Sequence, residues 1–386
     1  MPSRTPQIEA TRRCLRDNMP ITNNWAYFDH AAVAPISGPA AETLRQWLDE
    51  ATQHGDTCWL DWAHKLAETR TAAANLLGAE TGEIALVQHT TAGINLVAEG
   101  LDWQRGDNVV TLDDEFPTNA YPWLNLASQG VETRRVPTTD GHVDLDQFAE
   151  HCDARTRVVS VSWVAYASGY RRNLQAIADI AHQHKALFFV DAIQGLGVFP
   201  LNVKETDVDA LSADGHKWLL GPEGAGIAYL SKTTLSQLKP IGVGWHSVKH
   251  AHDFSRIELN LKTTAERYEG GSHNMAGFLA LGGSLNLFAS LGVENLANAI
   301  LDFTDTACSQ LEDLGATIHS PRDTDQRSGI VSFELPDHDP DLVRKHCLKN
   351  SVALNCRAGR LRISAHAYNN QEDLDKLLVA LKSAPN

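Results

Sequence analysis

The chain has 386 residues, 43% hydrophobic and 21% charged, and its 48 Asp and Glu outnumber 33 Lys and Arg, for a formal charge of −15. That sign argues against a nucleic-acid partner, which needs a basic excess to trade for counterions, and against an anionic membrane surface. No run approaches the ~18 apolar residues of a membrane span, and residues 1–10 lack the apolar core of a signal peptide, so a cytoplasmic protein is expected. Six cysteines, Cys14, Cys58, Cys152, Cys308, Cys347 and Cys356, are scattered without a CxxC pair, which predicts reduced thiols.

In chain order, residues 83–88 read as a strand and 91–101 as a helix, followed by a strand at 108–112 and a helix near 119–127. Strands at 131–136, 157–163, 187–190, 208–211 and 226–230 follow, with helices at 145–152 and 174–184 among them. Continuous apolar strands separated by helices predict an α/β fold with a mostly parallel sheet covered on both faces. After about residue 255 the pattern changes. Helices at 278–291 and 294–314 precede strand-like runs at 316–320 and 329–335. Asp339-Pro340 then starts a helix that runs to Lys349, 360–365 is a strand, and Asn370 with Asp373 opens a terminal helix as a capping box. The division expected is a large domain over 20–255 and a smaller α+β domain over 256–386, with residues 1–19 packing on the latter.

Three segments carry chemistry. In Leu211-Ser-Ala-Asp-Gly-His-Lys-Trp-Leu-Leu-Gly-Pro-Glu-Gly-Ala-Gly226, a His-Lys pair lies between a strand end and a glycine-rich turn. Its GPEGAG leads into a strand, so no helix start faces a phosphate there. Asp191 closes a buried strand in Val190-Asp-Ala-Ile-Gln-Gly195, where an open α/β sheet places its ligand residues. Thr90 and Thr91 stand at a helix start, as helix caps or as a phosphate site. His246, His250 and His252 have loosely metal-like spacing without a matching carboxylate or cysteine pattern, and no metal is expected.

These features, in this order, resemble the class V aminotransferase family of fold-type-I pyridoxal-phosphate enzymes, which includes cysteine desulfurases, kynureninases and isopenicillin-N-epimerase-like proteins. The resemblance runs from about Tyr27 (YFDHAAVAP) to Tyr368 (RISAHAYNN). It implies a fold-type-I large domain with a seven-stranded sheet, a smaller C-terminal domain, and pyridoxal 5'-phosphate as cofactor. Lys217 would be the Schiff-base lysine, Asp191 would face the pyridine nitrogen, and Gln194 the phenolic oxygen. Thr90, Thr91 and His216 would hold the phosphate. Asp214, at a position where desulfurases commonly carry a serine, is expected to turn away from it or meet a cation. Glu115-Phe-Pro-Thr-Asn119 resembles the loop that covers the ring, with Phe116 stacking and Asn119 beside it. Ser272, in Arg267-Tyr-Glu-Gly-Gly-Ser-His-Asn274, would reach the partner's phosphate in a homodimer with shared active sites. Arg362 would bind the carboxylate of a small amino-acid substrate, with His30 close by.

The resemblance implies chemistry at the substrate Cα, with Lys217 as general base and Asp191 and His216 in support. Desulfurases carry a loop thiol before the substrate arginine, and here Asn355-Cys-Arg-Ala-Gly-Arg-Leu-Arg362 lacks that loop. Cys356 is therefore read as a buried structural thiol. With Phe116 in place of a ring-stacking histidine, transamination or epimerisation is the leading expectation. C–S or C–C cleavage of the desulfurase or kynureninase type is the alternative, and a non-catalytic dimeric scaffold is a third.

Overall fold

A computed structural model of the chain describes residues 6–385. Helix α1 (Pro6–Asp17) leads to the two-residue strand β1 (Ala26–Tyr27), then the long helices α2 (Gly38–His54) and α3 (Trp59–Leu77). Strand β2 (Ile84–Val87) is followed by α4 (Thr90–Gly100), β3 (Asn108–Leu112), the single turn α5 (Tyr121–Leu124) and β4 (Glu132–Val136). Next come α6 (Leu145–Glu150), β5 (Thr156–Ser162), α7 (Leu174–Gln183), β6 (Leu187–Asp191), β7 (Ala210–Asp214), β8 (Gly226–Leu230) and α8 (Lys232–Gln237). The remainder is α9 (Met275–Leu291), α10 (Val293–Asp313), β9 (Thr317–Ile318), β10 (Ile330–Glu334), α11 (Pro340–Lys349), β11 (Val352–Ala353), β12 (Asn355–Arg357), β13 (Arg360–Ser364) and α12 (Gln371–Lys382).

Seven strands form one sheet in the order β2-β8-β7-β6-β5-β3-β4, parallel except for β8, which runs against both of its neighbours. Strands β6, β7 and β8 are buried along their whole length, and β5 at all positions but Arg157, because helices cover both faces. Reversing β8 has a functional consequence. The chain leaving β7 must turn back at once, and that turn carries Lys217 at the edge where β5, β6 and β7 end. Gly215 shapes the turn: its N–H donates to Ala225 O at 2.9 Å, and a Cβ at this position would fall 2.5 Å from that oxygen.

A second apolar core gathers Phe303, Leu311, Phe333, Val343, Leu361, Ile363, Leu374 and Leu377 around the four-stranded antiparallel sheet β12-β13-β10-β9. Ala26 and Phe28 join this core, because β1 pairs in parallel with β11. Helix α1 packs chiefly on α10, and residues 1–5 of the expected N-terminal segment lie outside the described residues.

The expected caps form: Asp339 accepts from Asp341 N and Leu342 N, and Asn370 with Asp373 makes the reciprocal box. Three expectations need correction. The helix near 119–127 is broken into a 3₁₀ turn, α5 and another 3₁₀ turn, since Pro117 and Pro122 supply no N–H to a continuous ladder. The strand expected at 208–211 is displaced to Ala210–Asp214, because Asp207 at φ +55° turns the chain just before it. The run expected at 316–320 shortens to Thr317–Ile318.

Candidate active site

The chain ends of β5, β6 and β7, the start of α4 and the β12–β13 hairpin surround a cavity of about 290 Å³. His89, Thr90 and Thr91 line it from α4, and Phe116 and Thr118 from the loop after β3. Asp191, Ile193 and Gln194 line it after β6, Asp214, His216 and Lys217 after β7, and Arg357 and Arg362 from the hairpin.

Lys217 and Asp191 form the electrostatic centre. Burial pushes the Lys217 ammonium down to about 8 even though Asp191 favours the charge, and Arg362 pushes it further the same way. Burial likewise lifts Asp191 to about 6, against the pull of the Ile193 N–H and Lys217. Asp191 accepts from Ile193 N at 3.1 Å, and its other oxygen has no donor among the described residues. An amine near neutrality and a buried carboxylate short of a cationic partner are what such a site needs before it can act.

The Lys217 Nζ stands 5.5 Å from the centre of the Phe116 ring, which meets Tyr166 edge-on at 5.3 Å. On the far side, Gln194 is clamped by its own chain: it accepts from Trp218 Nε1 at 2.8 Å and donates to Ala31 O at 3.0 Å. One amide proton is left for a ligand.

The start of α4 differs from the capping expected of its threonines. His89 is the cap, its Nδ1 accepting from Ala92 N at 3.0 Å, while Thr90 Oγ1 accepts from Asp214 N at 3.0 Å. Thr91 Oγ1 faces Thr118 Oγ1 at 3.2 Å. The first amides of α4 and the Thr91 hydroxyl are thus left facing the cavity, as an anion requires. Asp214 does meet a potential cation: its Oδ2 lies 2.9 Å from His216 Nδ1. The pair is poorly aligned, and Asp214 Oδ1 and His216 Nδ1 are both buried without a hydrogen-bond partner.

Arg362 is 1% exposed, donates to Tyr166 O at 2.6 Å and to Asp29 Oδ1 at 3.3 Å, and leaves Nε unpartnered. Burial pushes its guanidinium down to about 10, opposed by Asp29.

Three expected site residues lie elsewhere. His30 is fully buried behind the cavity, bridging Ser364 O and Tyr368 Oη at 2.8 Å each, and burial holds it neutral; its neighbours Ala31, Ala32 and Val33 form the wall instead. Asn119 is buried beneath the cavity, accepting from Trp123 Nε1 at 3.1 Å and Ser160 Oγ at 2.6 Å. Ser272 is exposed and outside the cavity. Cys356 is half-buried rather than buried, points away to Pro340 O at 3.1 Å, and is pushed up to about 11 by burial. No cysteine lines the cavity among the described residues.

Tyr166, Thr118 and Arg357 were not singled out from sequence. Tyr166 follows β5 much as Gln194 follows β6, so the strand-end argument that finds Asp191 extends to it. Arg357 carries no signal beyond its spacing from Arg360 and Arg362.

Pyridoxal phosphate fits this donor set. The α4 amides, Thr91 and His216 can hold a phosphate, Asp191 can face a protonated ring nitrogen, and the Lys217 amine can carry the aldehyde carbon.

Known proteins agree with this assembly. The family model for aminotransferase class V matches residues 26–377. A probable cysteine desulfurase of Methanothermobacter thermautotrophicus is 29% identical over 94% of this chain and 95% of its own. An uncharacterised aminotransferase of Schizosaccharomyces pombe is 28% identical, covering 96% and 95%. Among solved structures, the apo cysteine desulfurase of Thermococcus onnurineus NA1 superposes with a TM-score of 0.86 at 26% identity, covering 96% of this chain and 97% of its own. The cystine C–S lyase C-DES, solved with its product cysteine persulfide, gives a TM-score of 0.89 at 22% identity, over 95% and 100%; at that identity the likeness is one of fold. The chain belongs to the class V aminotransferase family of fold-type-I, pyridoxal-phosphate-dependent enzymes.

Proposed function

We propose that this protein is a lyase that cleaves the C–S bond β to the amino group of a small amino acid. The observation that carries the reading is a cavity that brings Lys217, Asp191 and Arg362 together with no cysteine on its wall. Several relatives named as cysteine desulfurases support sulfur chemistry over the transamination or epimerisation that led the expectations from sequence, against one relative named as an aminotransferase. The missing loop thiol supports release of the sulfur on its own carrier rather than its transfer to the protein.

Pyridoxal phosphate, when bound, supplies the electron sink for charge that develops at the substrate Cα. Arg362 takes the substrate carboxylate and sets the Cα–H bond toward Lys217. The Lys217 amine, already depressed toward neutrality by burial, accepts that proton and is placed to return it. Asp191 would hold positive charge at the ring nitrogen, and Phe116 covers one face of the site. The family resemblance of the segment around Ser272, a serine that lies free of this cavity, supports reading the active unit as a homodimer.

Purified holoprotein should release pyruvate and a thiol or persulfide from L-cystine or an S-substituted L-cysteine. Pyridoxamine formation with 2-oxo acid release instead would establish transamination, and solvent deuterium at Cα without turnover would establish epimerisation. Either result would displace the lyase reading.

A further inference from the structure

The β12–β13 hairpin places two arginines in one cavity, and only one of them makes a direct ion pair. Asn355 pairs directly with Arg362 across the ladder, and Arg357 with Arg360, so all four side chains share a face. Arg357 is therefore the diagonal neighbour of Arg362, about 7–8 Å away along the sheet. Asp29 answers Arg362 at 3.3 Å and accepts from Asn355 Nδ2 at 2.7 Å. Arg357, half-buried, has only neutral partners: it donates to Asn355 Oδ1 and to Cys356 O, each at 2.8 Å. Among the described residues no carboxylate comes within ion-pair distance of it. The carboxylates on the wall, Asp191 and Asp214, lie at the sheet end with Lys217 and His216. Asp29 acts on Arg357 only at longer range, and a guanidinium held by carbonyl oxygens, facing a cavity with no carboxylate in direct contact, is a receptor for an anion.

We propose that Arg357 forms a second anion subsite, selecting amino acids whose β-sulfur substituent carries an acidic group of its own. This deepens the C–S cleavage reading and rests on it. Arg362 would hold the α-carboxylate, and Arg357 the acid at the far end of the leaving group. In the cleavage, the Cα proton is lost, the Cβ–S bond breaks, and its electron pair leaves with sulfur. With one water the products are the thiol, pyruvate and ammonium, and no oxidant or reductant is needed. The leaving thiol would keep its acidic group on Arg357 until release.

The test compares S-carboxymethyl-L-cysteine with S-ethyl-L-cysteine, thioethers of similar size that differ in the distal acid. The holoenzyme should favour the carboxymethyl compound in kcat/KM, and Arg357→Met should lower that preference about 10- to 100-fold, the worth of a charge-assisted hydrogen bond. The same ratio should appear in the Kd of both compounds for Lys217→Ala holoprotein, measured by calorimetry. A parent enzyme without preference, or a variant that loses both compounds equally, would overturn the subsite; the latter would place Arg357 on the shared α-carboxylate. If neither compound yields pyruvate while the Kd ratio still depends on Arg357, the cleavage reading fails and the subsite stands.

Discussion

Lys217→Ala should lower kcat by at least about 10³-fold, or about 4 kcal/mol of barrier, because one amine is both the attachment point and the base at Cα. The loss should fall on kcat rather than KM, since the carboxylate contact of Arg362 is untouched. Burial explains why this lysine is suited to the task. An exposed lysine holds almost no free pair at neutral pH, whereas Lys217, pushed down to about 8, holds one in a minor but much larger share of molecules. A small exogenous amine should recover part of the rate. A variant retaining activity within about tenfold of the parent would sink the assignment of the base.

The largest effect on stability should come from Glu269. It ion-pairs with Arg70 through both oxygens, accepts from Leu86 N at 2.9 Å and from His273 Nε2 at 2.7 Å, and is 7% exposed. It thereby ties α3, β2 and the segment leading to Ser272 together just behind the start of α4. Removing one partner of a buried pair strands the other charge, so Glu269→Ala should cost about 3–5 kcal/mol in urea unfolding. Replacing Arg70 and Glu269 together with methionines should recover much of that loss. The pH dependence follows from the same contacts. Burial alone would raise the Glu269 carboxyl, but Arg70, His273 and the Leu86 amide outweigh it and hold it at about 2. A carboxylate depressed on folding stabilises above its unfolded value near 4.5, and this contribution is lost as pH falls toward 2. A cost below about 1 kcal/mol would mean the pair behaves like an exposed one.

The site residues were largely legible in the chain through the family resemblance, whose motifs sit at strand ends. Asp191, Gln194, His216 and Lys217 follow apolar runs whose period marks buried parallel strands, so their shared edge follows from topology. Thr90, Thr91 and Phe116 sit just after other strands of the same sheet. What escaped notice depends on contacts between distant parts of the chain. His30 looked like a turn residue near the substrate, but its partners Ser364 and Tyr368 lie more than 330 positions on, and they draw it into the core. Arg357 reaches the cavity only through the register of a hairpin whose tight turn holds Ala358 and Gly359 at positive φ. The helices α2 and α3 carry no strand-like apolar run to mark them, and both pack on α9.

The central claim is that Lys217 carries the cofactor in this cavity. Borohydride reduction of the holoprotein, followed by peptide mapping, tests it most directly. The pyridoxyl group should be fixed on the peptide containing Lys217 and be absent from Lys217→Ala. Recovery of the group on another lysine, or on none, would contradict the account.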